Sequence, residues 1–165
     1  MHGLILGMTE SGKTMFAKEL ARQFKARGIG VLVLDPLNDP EWQCDFITSD
    51  PQEFLEVFWD SKSCMVFIDE AGDSVGRFNN EMRETSTKGR HWGHSVFYIS
   101  QRATLINQTV RDQCGQLVLF NSSLEDCKIH ANEWNRPELK SGNILAKGEY
   151  YQCGRFTPLT KGRVF

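Results

Sequence analysis

Four runs of this 165-residue chain are short, apolar and almost free of polar interruptions: Val31–Leu34, Cys64–Ile68, Ser95–Ile99 and Leu117–Phe120. β-Branched and aromatic residues dominate them, and continuous runs of that kind suit strands buried on both faces of a sheet. A fifth run, Leu4-Ile5-Leu6, opens the chain. Between the runs the period changes. Phe16, Leu20 and Phe24 recur at helical spacing, predicting a helix over 13–26 that Gly28 ends. Asp50-Pro51 with Glu53 in the first turn predicts a second over 51–60, and a third is predicted over 79–88. Alternation of strand and helix implies an α/β fold with right-handed crossovers, a mostly parallel central sheet with helices on both faces, and a ligand at the strands' carboxyl ends. Past Phe120 the pattern shifts. Ser123 is placed to cap a helix through about Trp134, and Gly148–Phe156 predicts a C-terminal β-hairpin turning at Cys153-Gly154. No repeat, low-complexity tract or linker divides the chain, so one domain over 1–165 is expected.

Composition narrows the picture only slightly. Apolar residues at 40%, charged residues at 24% and a net charge of −2 describe an ordinary globular chain with no general attraction to nucleic acid. Any polyanion must be met locally. No apolar run is long enough to cross a bilayer, and the N-terminus lacks the basic flank and apolar core of a signal peptide. Five scattered cysteines, an odd number, point to reduced thiols without a structural disulfide. Cys114, Cys127, His130 and Cys153 could be combined into a zinc set, but only Cys127-x-x-His130 has ligand spacing, and core packing is the better reading.

The chemistry starts at Gly7-Met8-Thr9-Glu10-Ser11-Gly12-Lys13-Thr14, a G-x-x-x-x-G-K-T phosphate loop between a strand and a helix. Its glycines let backbone amides converge on one point, to which the helix adds its unpaired donors. Gly7, Thr9, Glu10, Ser11, Gly12, Lys13 and Thr14 are the expected nucleotide-binding residues. Lys13 would reach the β and γ phosphates, and the Thr14 hydroxyl would bind Mg²⁺. Met65–Ile68 leads into Asp69-Glu70, a Walker B arrangement: Asp69 would hold Mg²⁺ through water while Glu70 polarises the attacking water. Such a pair favours an ATP hydrolase over a small-metabolite kinase, whose acceptor brings its own nucleophile. Gln101 ends the run Ser95–Ser100 and would fall beside the γ phosphate, where an amide can bond both a phosphate oxygen and water.

With those residues in place, the chain resembles the FtsK-HerA group of P-loop ATPases, most of all the genome-packaging ATPases of membrane-containing double-jelly-roll viruses. The landmarks are the phosphate loop, Val33-Leu34-Asp35-Pro36, Phe67-Ile68-Asp69-Glu70-Ala71-Gly72, and Gly89-Arg90-His91-Trp92-Gly93 leading to Ile99-Ser100-Gln101-Arg102. The resemblance implies a RecA-like core in a pentameric or hexameric ring, with ATP between neighbours and double-stranded DNA through a central pore. A neighbour's arginine would complete the site; of Arg90, Arg102 and Arg111, the first and last are favoured. Arg77 and Arg83 are the first choices for DNA contact. The implied partners are capsid-vertex or viral membrane proteins, and the implied location is the host cytoplasm or a packaging vertex. The same landmarks are similar to those of Zot-like phage assembly and export ATPases, which normally carry a transmembrane helix. A nucleotide or metabolite kinase and a nucleotide-holding switch are the remaining readings.

Overall fold

Side chains alternate across a strand, and here both sides of each central strand find apolar partners. The structure, a computed structural model, describes residues 1–74 and 79–165. The strands are β1 (His2–Leu6), β2 (Val31–Leu34), β3 (Phe46–Thr48), β4 (Met65–Ile68), β5 (Ser95–Ser100), β6 (Cys114–Leu119), β7 (Glu149–Gly154) and β8 (Thr160–Arg163). The described residues join them in one eight-stranded sheet of order β3-β2-β4-β5-β1-β6-β7-β8. Pairings from β3 to β6 are parallel, and β7 and β8 add an antiparallel ribbon.

Two buried clusters, one on each face, fix this layering. Ile5, Val33, Phe67, Ile99 and Val118 meet Ala17 and Ala21 of α1 (Lys13–Ala26). Leu4, Leu34, Ile68, Tyr98 and Leu119 meet the other helices: Phe54 and Phe58 of α2 (Pro51–Asp60), Met82 of α4 (Asn80–Lys88), Val110 of α5 (Gln108–Asp112) and Ala131 of α6 (Leu124–Trp134). A short α3 (Ala71–Ser74) follows β4. Local chemistry starts the longer helices where the sequence predicts. The Asp50 carboxylate accepts from the Gln52 amide at 3.0 Å, Asn79 accepts from Met82 at 3.0 Å, and the Ser123 hydroxyl accepts from Asp126 at 3.1 Å.

One expectation needs revision. Cys153-Gly154 is not a turn: Cys153 pairs with Leu117 inside β7, and the chain reverses over 155–159, where Thr157 accepts the Gly154 amide at 2.8 Å. Strand β3 has no clear signal in the sequence; it is three residues long and gains its place by pairing Phe46 with Leu32.

Histidines tie the layers together. The Val96 amide donates to His2 Nδ1 at 3.0 Å, so His2 Nε2 carries the proton and donates to the Ser86 carbonyl at 3.0 Å. His94 likewise accepts from the Cys64 amide at 3.1 Å and donates to the Phe58 carbonyl at 2.9 Å. Both are buried, and both rings are held neutral in this bonding pattern. Cys114, Cys127, His130 and Cys153 are also buried, the cysteines within the helical-face cluster. Among the described residues no helix is long and apolar enough to cross a membrane.

Candidate active site

Strand order decides which tips are neighbours. β5 lies between β1 and β4, so Gln101 follows a strand flanked by the strand of the phosphate loop on one side and that of Asp69 on the other. Ser100 is level with Leu6, and Ile68 is level with both Leu34 and Tyr98. The loop, the acids and the amide therefore emerge from one edge.

The loop is tied to that edge by its backbone. The Gly7 amide donates to the Ser100 carbonyl at 3.3 Å, and the Met8 amide to the Asn121 carbonyl at 2.8 Å. Gly12 immediately precedes α1 with φ of 118°, a left-handed conformation that glycine adopts without steric cost. A Cβ there would also lie 3.0 Å from the Phe120 ring. Thr9 and Glu10 are exposed, Thr14 is half-buried, and Ser11 is buried with its hydroxyl unpartnered.

Lys13 bends back into the loop it follows. It is 8% exposed, and its ammonium donates to the Met8 carbonyl at 2.9 Å. Burial lowers its pKa, while Glu70 and Asp69 pull it back up. Asp69 is also buried. Desolvation, with added repulsion from Asp35 and Glu70, pushes its carboxyl up to about 6, against the Glu70 amide that donates to it at 2.9 Å. Asp35 is occupied structurally, accepting from the Leu37 and Asp39 amides at 2.9 and 3.0 Å and from the Trp42 indole at 3.2 Å. Glu70 is exposed and has φ of 50°, in the left-handed region. The buried Asp69 carboxylate and the Thr14 hydroxyl are hard oxygen donors of the kind Mg²⁺ takes, and a cation beside Asp69 would offset the repulsion it feels from Asp35 and Glu70. The residues fit that ion.

Gln101 is exposed and lines a 340 Å³ cleft with Met8, Arg102, Ser122, Ser123, Glu125 and Asp126. Arg102 stays at this edge, paired with Asp126 at 3.1 Å. Arg90 and Arg111 lie at the opposite edge, ahead of the first residues of β5 and β6. Six-residue strands separate the two edges by roughly 17 Å, so neither arginine serves its own loop. Arg90 is exposed and donates to the Gln113 side chain at 2.7 Å. Arg111 is mostly buried and committed to an ion pair with Glu133. Arg83 is half-buried on α4, and Arg77 lies outside the described residues. Sequence reasoning missed Lys147 and Phe165, which line a second cleft beside Lys13 and Thr14.

No family model matches this sequence. No curated protein matches it either. Solved structures do. The genome packaging NTPase B204 from Sulfolobus turreted icosahedral virus 2, in complex with AMPPCP, aligns at TM-score 0.81 and 13% identity over 98% of this chain and 96% of that one. VirB4 of Thermoanaerobacter pseudethanolicus aligns at TM-score 0.72 and 12% identity over 98% and 88%. The N-terminal domain of zonular occludens toxin from Neisseria meningitidis aligns at TM-score 0.51 and 20% identity over 71% and 74%. The fold read from the sequence thus holds in three dimensions, and a viral genome packaging NTPase is among the chains that share it. At these identities the common element is architecture, and the architecture is that of a P-loop NTPase.

Proposed function

We propose that this chain hydrolyses ATP to drive double-stranded DNA into a viral capsid, acting as a ring of identical subunits. One observation carries the reading: Lys13 is buried against the loop, its ammonium donating to the Met8 carbonyl, at the sheet edge to which β4 delivers Asp69 and Glu70. Lys13 and the loop amides bind the triphosphate, and Thr14, with Asp69 acting through water, would hold Mg²⁺. When bound, Mg²⁺ neutralises charge that develops on the phosphate oxygens. Glu70 orients and deprotonates water for attack on the γ phosphate, and Gln101 bonds that water and a phosphate oxygen. Arg90, exposed at the far edge, meets the phosphates of a neighbouring subunit. Arg111 is the second candidate and would first have to leave Glu133.

Arg77 and Arg83 from each subunit would line a pore and hold DNA by its phosphates without reading bases. Capsid-vertex or viral membrane proteins are the partners of such a motor, in the host cytoplasm or at the vertex. The end-to-end match to a packaging NTPase supports this reading over a Zot-like export role, whose representative matches less of the chain and at a lower TM-score. The test is steady-state ATPase activity across protein concentration, with and without double-stranded DNA. Specific activity that rises as subunits assemble and rises again with DNA is expected; concentration-independent turnover indifferent to DNA overturns the motor.

A further inference from the structure

The phosphate loop has a carved space on each side. One is the Gln101 cleft. The other, of 230 Å³, is lined by Glu10, Gly12, Lys13, Thr14 and Met15 from the loop and first turn of α1, and by Lys147 and Phe165 from distant sequence. A triphosphate whose γ end lies toward Gln101 must leave the loop on the second side.

The chain is built to bring Phe165 there. The Gly148 amide donates to the Ser11 carbonyl at 2.9 Å, and the Val164 amide donates to the Gly148 carbonyl at 2.8 Å. The stack is tight. A Cβ on Gly12 would be 3.3 Å from the Gly148 Cα, and a Cβ on Gly148, whose φ is +85°, would be 2.6 Å from the Phe165 ring. Loop, glycine and aromatic ring form three successive layers with no side chain between them. Phe165 is nonetheless 49% exposed and Met15 is 56% exposed, so apolar surface flanks the cleft and remains open to solvent. Lys147 is exposed beside them.

We propose that Phe165 and Lys147 form the nucleoside end of this site, the Phe165 ring stacking on the base and the Lys147 ammonium facing the ribose and α phosphate. The assignment rests on the reading of Gly7–Thr14 as the phosphate cradle. Stacking accepts any base with a π-face, so Phe165 contributes affinity for nucleotide over bare phosphate rather than a choice between ATP and GTP.

The experiment is calorimetric titration of the full chain with AMPPCP and, separately, with inorganic tripolyphosphate, both with Mg²⁺. Phe165→Ala is expected to weaken AMPPCP binding about tenfold, equivalent to about 1.4 kcal/mol, and to leave tripolyphosphate within about twofold of wild type. Phe165→Trp is expected to restore AMPPCP affinity, and GTP binding should follow the same pattern. Unchanged AMPPCP affinity in Phe165→Ala overturns the proposal. So does a parallel loss of both probes, which would make the ring a brace for the loop. A wild-type protein that binds neither probe instead removes the phosphate-loop reading itself.

Discussion

Lowering the pH from 6.5 toward 4 asks the fold to charge histidines that it holds neutral. His2 has no solvent exposure, and its Nδ1 faces the Val96 N–H, so a proton added there meets a donor instead of an acceptor. Burial, reinforced by the N-terminal ammonium and Arg90, lowers its pKa from 6.5 to about 4. His130, buried with both ring nitrogens unpartnered, is lowered by burial to the same region. Between those values the unfolded chain binds protons that the folded chain refuses, so stability is present above pH 6.5 and is lost as pH falls. Each histidine accounts for about 3 kcal/mol across the window, a large share of the roughly 5 to 15 kcal/mol that holds a domain of this kind together. Asp69 works the other way: its raised value near 6 means that the folded chain takes that proton first, offsetting about one histidine. His2→Gln isolates the effect. At pH 7 it should cost about 1 to 3 kcal/mol through the buried hydrogen bonds it disturbs. Between pH 6 and 4.5 its stability should fall less steeply than wild type, by up to about 1.4 kcal/mol per pH unit. Urea titrations followed by tryptophan fluorescence at several pH values measure both. Equal slopes in the two proteins would refute the argument that His2 is kept neutral by its burial and bonding.

Other changes separate the parts of the site. Lys13→Ala should abolish nucleotide binding, whereas Glu70→Gln should retain ATP and lower turnover by at least about a hundredfold, as equilibrium binding and phosphate release would report. Gly12→Ala forces a side chain into a left-handed position 3.0 Å from Phe120, so nucleotide affinity should drop more than about tenfold while the circular dichroism spectrum is retained. Arg90→Ala should leave nucleotide affinity intact and reduce turnover only under conditions where wild-type subunits assemble; loss of activity in dilute monomer would contradict a role in trans. Phe67→Ala removes a buried ring stacked on Phe97 at 5.5 Å and tilted against Trp42 at 5.6 Å, and should cost about 3 to 5 kcal/mol in a thermal or chemical melt.

The parts of the fold that the sequence discloses are those whose signal is local. Asp50, Asn79 and Ser123 bond the amides of their own helices, so helix starts can be read a few residues at a time. The phosphate loop is legible for the same reason, eight consecutive residues fixing the relation of Lys13 to the backbone that surrounds it. Gly154 misleads because glycine commonly marks a turn; here a Cβ would press on Thr157 and the Gly115 carbonyl, and the ribbon turns beyond it. Strand β3 is nearly invisible, since Phe46–Thr48 owes its conformation to β2. Lys147 and Phe165 are more than 130 residues from the loop: Lys147 comes beside it where the chain enters β7, and the antiparallel return along β8 brings Phe165 back to the same end. Arg111 illustrates a different gap: its charge is evident in the sequence, but its engagement by Glu133 is a tertiary fact.

The far margin of the sheet bears on how copies can join. β8 carries Lys161 and Arg163, both of which reach Glu149 of β7, at 3.5 and 3.8 Å. An incoming strand would have to strip water from these cations to reach the unsatisfied peptide groups beside them, and lysine and arginine at such a border discourage that approach. Growth by adding one copy's ribbon to another's is therefore disfavoured, so copies of this chain that meet are steered away from end-to-end extension of the sheet at β8.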